Sequence, residues 1–338
     1  MKSFKKKKLK NIFKKLSEED LEALVSLLKN GFSINDALNL VVDEKNKKII
    51  NKIYRDLEKG KHIRDTLSKY LPIKVKDYFM NFILIMPLEN ALDSSLRIVK
   101  EEDAQQKRLW KGIGYPLIML VVTLVGIMLF TTYILPSLIN LLDGFSSDND
   151  FLVKVNIGLS MSVSGLLGIS LLILSVGWWM MLPRNIVSSY KLIARLNPNS
   201  IFVQGVSIDF ARFFLVCLEN GINTKDMLRV LKNMHNKVLV SYVAYQLDAL
   251  LSNGDDFKDA IKNCYVEKKL IRFVMIAMQA SNCQSMLKGY LEMCRVRKER
   301  AIKRTSYIIQ IISYSLIGIV LIMVYSVLMA PLKVLESL

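Results

Sequence analysis

Two acidic clusters come closest to a catalytic centre in this sequence. Glu18-Glu19-Asp20 and Glu101-Glu102-Asp103 carry residue types that act as general acids and bases. The first cluster directly follows Ser17, which is typical of a helix N-cap with carboxylates in the first turn. The second precedes Lys107 and Lys111, and this spacing favours ion pairs along one helix. We therefore predict structural roles for both clusters and a protein that is not an enzyme.

The sequence contains none of the common nucleotide, nucleophile or zinc signatures. A Gly-x4-Gly-Lys-Ser/Thr loop, a Gly-x-Ser-x-Gly elbow and a His-Glu-x-x-His motif are all absent from it. No two cysteines have Cys-x-x-Cys spacing, and neither His62 nor His235 has a Cys or His partner at ligand spacing. We predict no metal and no cofactor, and we interpret the cysteines as small core or interface residues. They are Cys217, Cys264, Cys283 and Cys294.

Charged residues are distributed unevenly along the 338-residue chain, which has a net charge of +17. Three windows, 112–142, 155–183 and 305–332, contain no charged side chain. Each is longer than the roughly 20 apolar residues that cross a bilayer, so we predict three membrane spans. Ion and proton pathways need charged side chains inside the membrane, so these windows argue against a transporter. A shorter apolar run, 78–88, is predicted to be a buried core helix.

The balance of basic and acidic side chains predicts the orientation in the membrane. Residues 1–111 hold 25 basic and 16 acidic side chains, and residues 183–307 hold 20 and 10. The connector between the first two windows has three aspartates against Lys154. The positive-inside rule places both basic segments in the cytoplasm. We therefore expect the N-terminus inside and the C-terminus outside.

The two cytoplasmic segments repeat one another. Asn30-Gly31 and Asn220-Gly221 each end an apolar helical run, and each glycine suits a left-handed helix C-terminus. Ser33 and Asn223 follow as candidate N-caps of the next helix. Helical periodicity recurs in both segments, and no stretch of the sequence alternates apolar and polar residues. We predict an all-α integral membrane protein with two repeated cytoplasmic helical-bundle domains and three transmembrane helices.

The predicted organisation alternates cytoplasmic domains with spans. Its segments are a basic N-terminal tail (1–16), a first bundle (17–111), a span (112–136), an outside connector (137–156), a span (157–182), a cytoplasmic linker (183–206), a second bundle (207–304), a span (305–331) and a short outside tail (332–338). Each bundle ends in a charged helix that runs into a span, over 101–111 and 295–304. Such continuous helices would link the bundles to the membrane.

Short motifs in the repeats and spans resemble those of the type II secretion system F family. The matching positions are Asn30, Gly31, Tyr115, Pro116, Pro136, Asn220, Gly221 and Pro331. Members of this family are inner-membrane platform proteins of type II secretion systems, type IV pili and competence pili. The family's usual Gly-Glu-x-Ser-Gly-x-Leu motif is altered at 86–92 and 278–284, so no metal ligand is carried over from it.

The resemblance implies a non-enzymatic scaffold in the inner membrane of a bacterium. Its implied partners are a hexameric assembly ATPase, pilins or pseudopilins, other inner-membrane assembly proteins and further copies of the chain, within a lipid bilayer. The candidate ATPase-contact residues, which equally fit an anchor against anionic lipid, are Lys107, Arg108, Arg297, Lys298 and Arg300. The glycines that would allow close approach of pilin helices or of further copies of the chain are Gly112, Gly114, Gly165, Gly168 and Gly318.

Two other functions compete with the scaffold. A small membrane permease or channel subunit would also span the membrane, although a repeated pair of cytoplasmic domains counts against it. A nucleic-acid-binding component would use the basic surplus, but the charge is spread over mixed faces without stacked aromatic residues. We therefore expect no nucleic-acid partner and keep the permease or channel as the alternative.

Overall fold

A computed structural model shows α-helices and no strand among the residues that it describes. It describes residues 15–134, 136–137, 140, 157–158, 161, 165, 168, 172, 175–180, 182–279 and 282–336. The helices are α1 (Glu18–Lys29), α2 (Ile34–Val41), α3 (Lys47–Glu58), α4 (Ile63–Tyr70), α5 (Ile73–Phe82), α6 (Leu88–Leu129), α7 (Ile186–Leu196), α8 (Ile201–Glu219), α9 (Thr224–Lys232), α10 (Val238–Ser252), α11 (Phe257–Lys262), α12 (Lys268–Gln279) and α13 (Cys283–Glu336). A π-helical turn, Phe130–Ile134, extends α6, and a 3-10 turn, His235–Lys237, precedes α10. Most of the predicted basic tail and outside connector, and half of the predicted second span, lie outside the described residues.

The chain divides into two compact units. One, the helical unit, comprises residues 1–105 and 186–294, and therefore holds both sequence repeats. The other, the membrane unit, comprises residues 106–185 and 295–338. The helices α6 and α13 belong to both units, because each continues unbroken from a repeat into an apolar segment.

Each repeat in the helical unit begins with a helix that stops at an Asn-Gly pair. Gly31 has φ 87° and Gly221 has φ 66°, a left-handed conformation that glycine adopts without a steric cost. Ser33 and Asn223 then cap α2 and α9 by accepting hydrogen bonds from backbone N–H groups. These breaks and caps confirm the helix boundaries that the sequence predicted.

Both repeats contribute to one buried core in the helical unit. The central element is α8, in which 13 of 19 residues are buried. The predicted core helix at 78–88 is correct only as far as Phe82, where α5 ends with Tyr78, Phe79 and Phe82 buried, because residues 83–87 form a turn before α6. Burying a large apolar side chain is worth about 1.5–3 kcal/mol, so the fully buried aromatic residues anchor this core. They are Tyr78, Phe79, Phe82, Tyr190, Phe210, Phe213 and Tyr290.

Three helices of the described chain are long and apolar enough to cross a membrane: α6 with its π-helical turn, α8, and α13 as far as Ile322. Each of these helices has its own most apolar window. Only 17% of that window is buried in α6 and 6% in α13, whereas 72% is buried in α8. The exposed windows match the first and third predicted spans. The burial of α8 instead makes it a core helix of the helical unit, because protein already surrounds its apolar surface.

Candidate functional site

The predicted ATPase-contact residues lie on two neighbouring helices of the membrane unit. We call this set, Lys107 and Arg108 on α6 with Arg297, Lys298 and Arg300 on α13, the basic helix pair. The two helices meet where Arg108 Nη1 donates to Glu299 Oε1 at 3.1 Å. They meet again one turn further on, where Gly112 faces Ile302. The structure therefore places the α6 segment that holds two of these basic residues beside the α13 segment that holds the other three, although the contacting residues are 191 positions apart.

Members of the basic helix pair differ in their exposure. Lys107, Arg108 and Arg300 are exposed, whereas Arg297 and Lys298 are half-buried. The guanidinium of Arg108 is engaged by Glu299. An acidic partner surface would consequently meet Lys107 and Arg300 first.

Gly112 allows α6 and α13 to approach closely. A Cβ atom at this position would lie 2.2 Å from Cγ2 of Ile302, far inside van der Waals contact. Because proline has no N–H, Pro116 also leaves the Gly112 carbonyl without its usual partner in the helix. The close approach predicted for Gly112 therefore occurs within the chain itself.

The other four glycines make no comparable approach in the structure. A Cβ atom added at Gly114 would meet Trp110 of its own helix at an ordinary 3.6 Å. At Gly165, Gly168 and Gly318 an added Cβ would meet nothing within 4 Å. Gly165 and Gly168 are exposed, Gly318 is half-buried and Gly114 is buried, and the role of these four glycines in helix packing remains a prediction.

A network of charges joins the first repeat to the second inside the helical unit. Arg212 of α8, whose side chain is 6% exposed, lies 3.1 Å from Glu101 and 3.3 Å from Asp209. Lys237 Nζ contacts Glu102 at 2.7 Å and Asp209 at 2.8 Å. Two carboxylates of α6 thus pair with two cations of the second repeat.

Aromatic rings pack beside this network and extend the contact between repeats. The Phe213 ring of α8 lies 5.6 Å from the ring of Tyr78 and 6.4 Å from that of Phe82. The Tyr78 hydroxyl donates to Glu102 at 2.9 Å. The interface between the repeats therefore combines aromatic packing with ion pairs.

Burial and charge act on two titratable groups of the network. Burial alone would lower the pKa of Lys237, but Asp209 and Glu102 more than compensate and hold it above its ordinary value. Burial raises the pKa of Tyr78, and the neighbouring Glu102 carboxylate raises it further. At neutral pH both groups are therefore protonated, as their hydrogen bonds require.

Glu219, the last residue of α8, provides a second ionic link between the repeats. Its carboxylate accepts a hydrogen bond from Arg97 Nη2 of the first repeat at 2.6 Å. It also pairs with Lys288 Nζ of α13 at 2.8 Å. Both cations together lower the pKa of Glu219 despite its partial burial, which on its own would raise it.

The two acidic clusters differ in how well the sequence predicted their roles. Ser17 accepts from the backbone N–H of Asp20 at 3.1 Å and donates its own N–H to the Asp20 carboxylate, which confirms the N-cap. The interpretation of the second cluster as ion pairs along one helix is wrong. Glu101 and Glu102 pair with the second repeat, and Asp103 pairs with a lysine of α5.

The residues of this network were not singled out from the sequence. The available signal was a charged pair, Asp209 and Arg212, inside the otherwise apolar run that forms α8. Charges in such a run need partners, because an unpaired buried charge is strongly destabilising. That signal shows that partners exist but does not identify Glu101 and Glu102, which are more than 100 residues away.

Among the positions that carry the family resemblance, the two Asn-Gly pairs end helices. Asn30 and Asn220 each cap a helix C-terminus, and their side-chain amides donate to the carbonyls of Ser26 (2.9 Å) and Val216 (2.8 Å). Tyr115 is exposed on α6. The prolines at 116, 136 and 331 lie on helical backbone.

In the described part of the chain, no group of three or more His, Cys, Asp or Glu side chains could hold a metal ion. Three of the cysteines are buried and Cys283 is half-buried, in keeping with their interpretation as core residues. Burial raises the pKa of the Cys264 thiol to about 12, so it is protonated at neutral pH.

Two helical repeats in one unit, continued by long helices into apolar segments, define a multi-pass α-helical membrane protein. A family model described as "Type II secretion system (T2SS), protein F" matches residues 21–136 and 210–331. The chain therefore belongs to the type II secretion system F family, whose members are inner-membrane platform proteins rather than enzymes. A search of curated proteins finds no match to the chain.

Proposed function

We propose that this protein is the inner-membrane platform that couples a cytoplasmic assembly ATPase to the insertion or extraction of pilins or pseudopilins. The observation that carries the proposal is the continuity of α6 and α13. Each begins in a repeat of the helical unit and runs unbroken into an exposed apolar segment, over Leu88–Leu129 and Cys283–Glu336. A force applied to the repeats would reach the membrane through these two helices.

The two repeats are suited to move as one body. Arg212 and Lys237 of the second repeat each pair with one carboxylate of the first repeat and with Asp209 of the second. Aromatic packing reinforces this contact. Separating the repeats would remove the cations that pair with Glu101 and Glu102 and one carboxylate each from Arg212 and Lys237, which is costly in a partly buried site. A partner that turns one repeat would therefore turn the other with it.

The basic helix pair is the proposed contact for the ATPase. Lys107 and Arg300 are exposed near the cytoplasmic ends of the apolar segments, if the N-terminus lies inside and the C-terminus outside as the positive-inside rule requires. Exposed charges of one sign accelerate association with an oppositely charged surface. An acidic surface on the ATPase fits this site, and pilin transmembrane helices fit the exposed apolar faces of α6 and α13.

The proposal is tested by purification from the native host. The tagged full-length protein is extracted in mild detergent, and co-purifying proteins are identified by mass spectrometry for the wild type and for Lys107→Glu/Arg300→Glu. We expect the wild type to recover an assembly ATPase and pilins, and the charge reversal to recover pilins with much less ATPase.

The matched control reverses two exposed lysines of the helical unit, Lys45→Glu/Lys268→Glu. It makes the same change in net charge, and we expect it to retain the ATPase. Equal loss of the ATPase in both variants would overturn the assignment of the contact. Recovery of neither ATPase nor pilins with the wild type would overturn the platform function.

A further inference from the structure

The helix α7 carries a mixed apolar and basic face that the helical unit leaves uncovered. Its inner face is buried through Tyr190 and Ala194. On the opposite face Leu192 and Leu196 are 60% and 78% exposed, and Ile201 at the start of α8 is 83% exposed. Leu192 and Leu196 are one helical turn apart and Ile201 follows five residues later, and large apolar side chains this exposed indicate a contact with another phase or molecule.

The position of α7 in the chain identifies what that contact is. The preceding uncharged window ends at Pro183, and Trp178 and Trp179 are exposed near its end, as is typical of residues at a membrane interface. A turn follows in which Asn185 donates to the Leu182 carbonyl at 2.9 Å and its side chain reaches the Trp179 carbonyl at 3.4 Å. The next residue begins α7, so this helix starts where the chain leaves the bilayer.

Two cations on α7 lie beside its exposed leucines. Lys191 Nζ is 5.0 Å from the centre of the Tyr242 ring, and Arg195 Nε donates to the Tyr265 hydroxyl at 3.0 Å. These contacts orient the two cations without cancelling their charge, and in the described part of the chain neither cation pairs with a carboxylate. Positive charge beside apolar side chains matches the surface of a bilayer that contains anionic lipid.

We propose that α7 is an interfacial helix whose exposed face, Leu192, Leu196 and Ile201 with Lys191 and Arg195, rests on an anionic membrane surface. Side chains on such helices enter the headgroup and upper acyl region by about 5–10 Å. This contact would fasten the second repeat to the membrane between the second predicted span and α8. The linker predicted as a plain cytoplasmic connection would thereby become a docking element.

The proposal is tested by measuring how deeply spin labels at this face enter the bilayer. Leu196→Cys and Ile201→Cys are made in the full-length protein with Cys283→Ala, since the other three native cysteines are buried. The labelled proteins are reconstituted in vesicles of phosphatidylcholine and phosphatidylglycerol in equal parts. Collisions with oxygen and with a water-soluble nickel chelate then report the depth of each label.

Labels at Leu40→Cys and Ile73→Cys provide matched controls. These residues are also apolar, are 62% and 69% exposed, and lie in the first repeat. We expect collisions with the nickel chelate to be several-fold rarer at positions 196 and 201 than at the controls, and collisions with oxygen to be more frequent. In Lys191→Glu/Arg195→Glu, and in vesicles of phosphatidylcholine alone, the difference should shrink.

Two results would overturn the proposal. Nickel collisions at positions 196 and 201 that equal those at the control positions would show that the face remains in water. The labels could instead be shielded from the nickel chelate equally in charged and uncharged lipid. If that shielding disappears when the protein is diluted into excess lipid, a second copy of the chain covers the face. An unchanged label mobility at Ile73→Cys verifies that the charge reversal leaves the helical unit folded.

Discussion

Lys29 and Glu219 occupy the same place in the two repeats and carry opposite charges. Each is the last residue of the first helix of its repeat, directly before an Asn-Gly pair. Lys29 pairs with Asp93 of α6 at 2.5 Å, and Glu219 pairs with Lys288 of α13 at 2.8 Å. The same ion pair thus ties the first helix to the long helix in both repeats, with its polarity reversed in the second.

The reversed polarity gives Glu219 an additional partner, since it also pairs with Arg97 of the first repeat. We expect Glu219→Gln to destabilise the protein more than Asp93→Asn, which removes a single exposed pair. Each exposed pair contributes about 0.2–1 kcal/mol, so the difference should lower the apparent Tm by a few degrees at most. The measurement is the retention of monodisperse full-length protein in detergent after heating. A loss for Asp93→Asn equal to that for Glu219→Gln would show that the Arg97 link contributes nothing.

Arg212 is expected to be the most sensitive charged residue of the helical unit. Arg212→Gln leaves Glu101 and Asp209 without their shared cation. We expect the free energy of unfolding to fall by about 1.5–3 kcal/mol, which is the contribution typical of hydrogen bonds to charged groups. Arg229→Gln is the control, because Arg229 also pairs with an aspartate three residues earlier but is exposed. The Arg229→Gln substitution should lower the free energy of unfolding by less than about 0.5 kcal/mol. Similar melting of the two variants would contradict the buried role of Arg212.

Stability should fall at alkaline pH because of Lys237 and Tyr78. The folded state raises the pKa of both groups, so their contribution is complete below the unfolded values near 10 and is lost as the pH rises through the folded values. We expect Lys237→Gln/Tyr78→Phe to be less stable than the wild type at pH 7 and to show a shallower decline above pH 10. The measurement is the apparent Tm across pH 7 to 11 in one detergent.

The control for this experiment is Lys225→Gln, which removes one exposed positive charge. Its profile should run parallel to that of the wild type. If the apparent Tm of the double variant also declined in parallel with that of the wild type, the network would not be the source of the alkaline instability.

Gly112→Ala should disturb the contact between α6 and α13. The added methyl group would overlap Cγ2 of Ile302, and overpacking of this kind costs about 1–3 kcal/mol. Gly126→Ala, where nothing lies within 4 Å, should be neutral or slightly stabilising. Adding Ile302→Ala to Gly112→Ala removes the overlapping atom and should recover part of the loss. Equal behaviour of the two glycine variants in a melting assay would show that the helices do not meet at Gly112.

Local features of the fold were predictable from the sequence. The Asn-Gly breaks, the caps at Ser33 and Asn223, and the charged helices that run into the first and third spans all depend on residues close in sequence. Capping and helix termination need only the few residues around the helix end, so their patterns are readable without a structure. The repeat and the family followed from the same local patterns.

The contact between the repeats was not predictable in this way. Periodicity shows which face of a helix is apolar, but it does not show which other helix covers that face. Glu101 and Glu102 have no lysine three or four residues away along α6, and they pair instead with Arg212 and Lys237 of the second repeat, two cations that also share Asp209. Long-range pairing of this kind depends on tertiary structure, which is why the prediction for that cluster failed.

The central claim is that the basic helix pair receives the ATPase, and photocrosslinking in living cells of the native host tests it most directly. A photoreactive amino acid replaces Lys107 or Arg300. Lys268, which is also exposed, is replaced in the control. The account predicts a crosslink to the assembly ATPase from Lys107 and Arg300 and none from Lys268. A crosslink to the ATPase from Lys268 alone, or from none of the three positions while pilus or secretion function is intact, would contradict it.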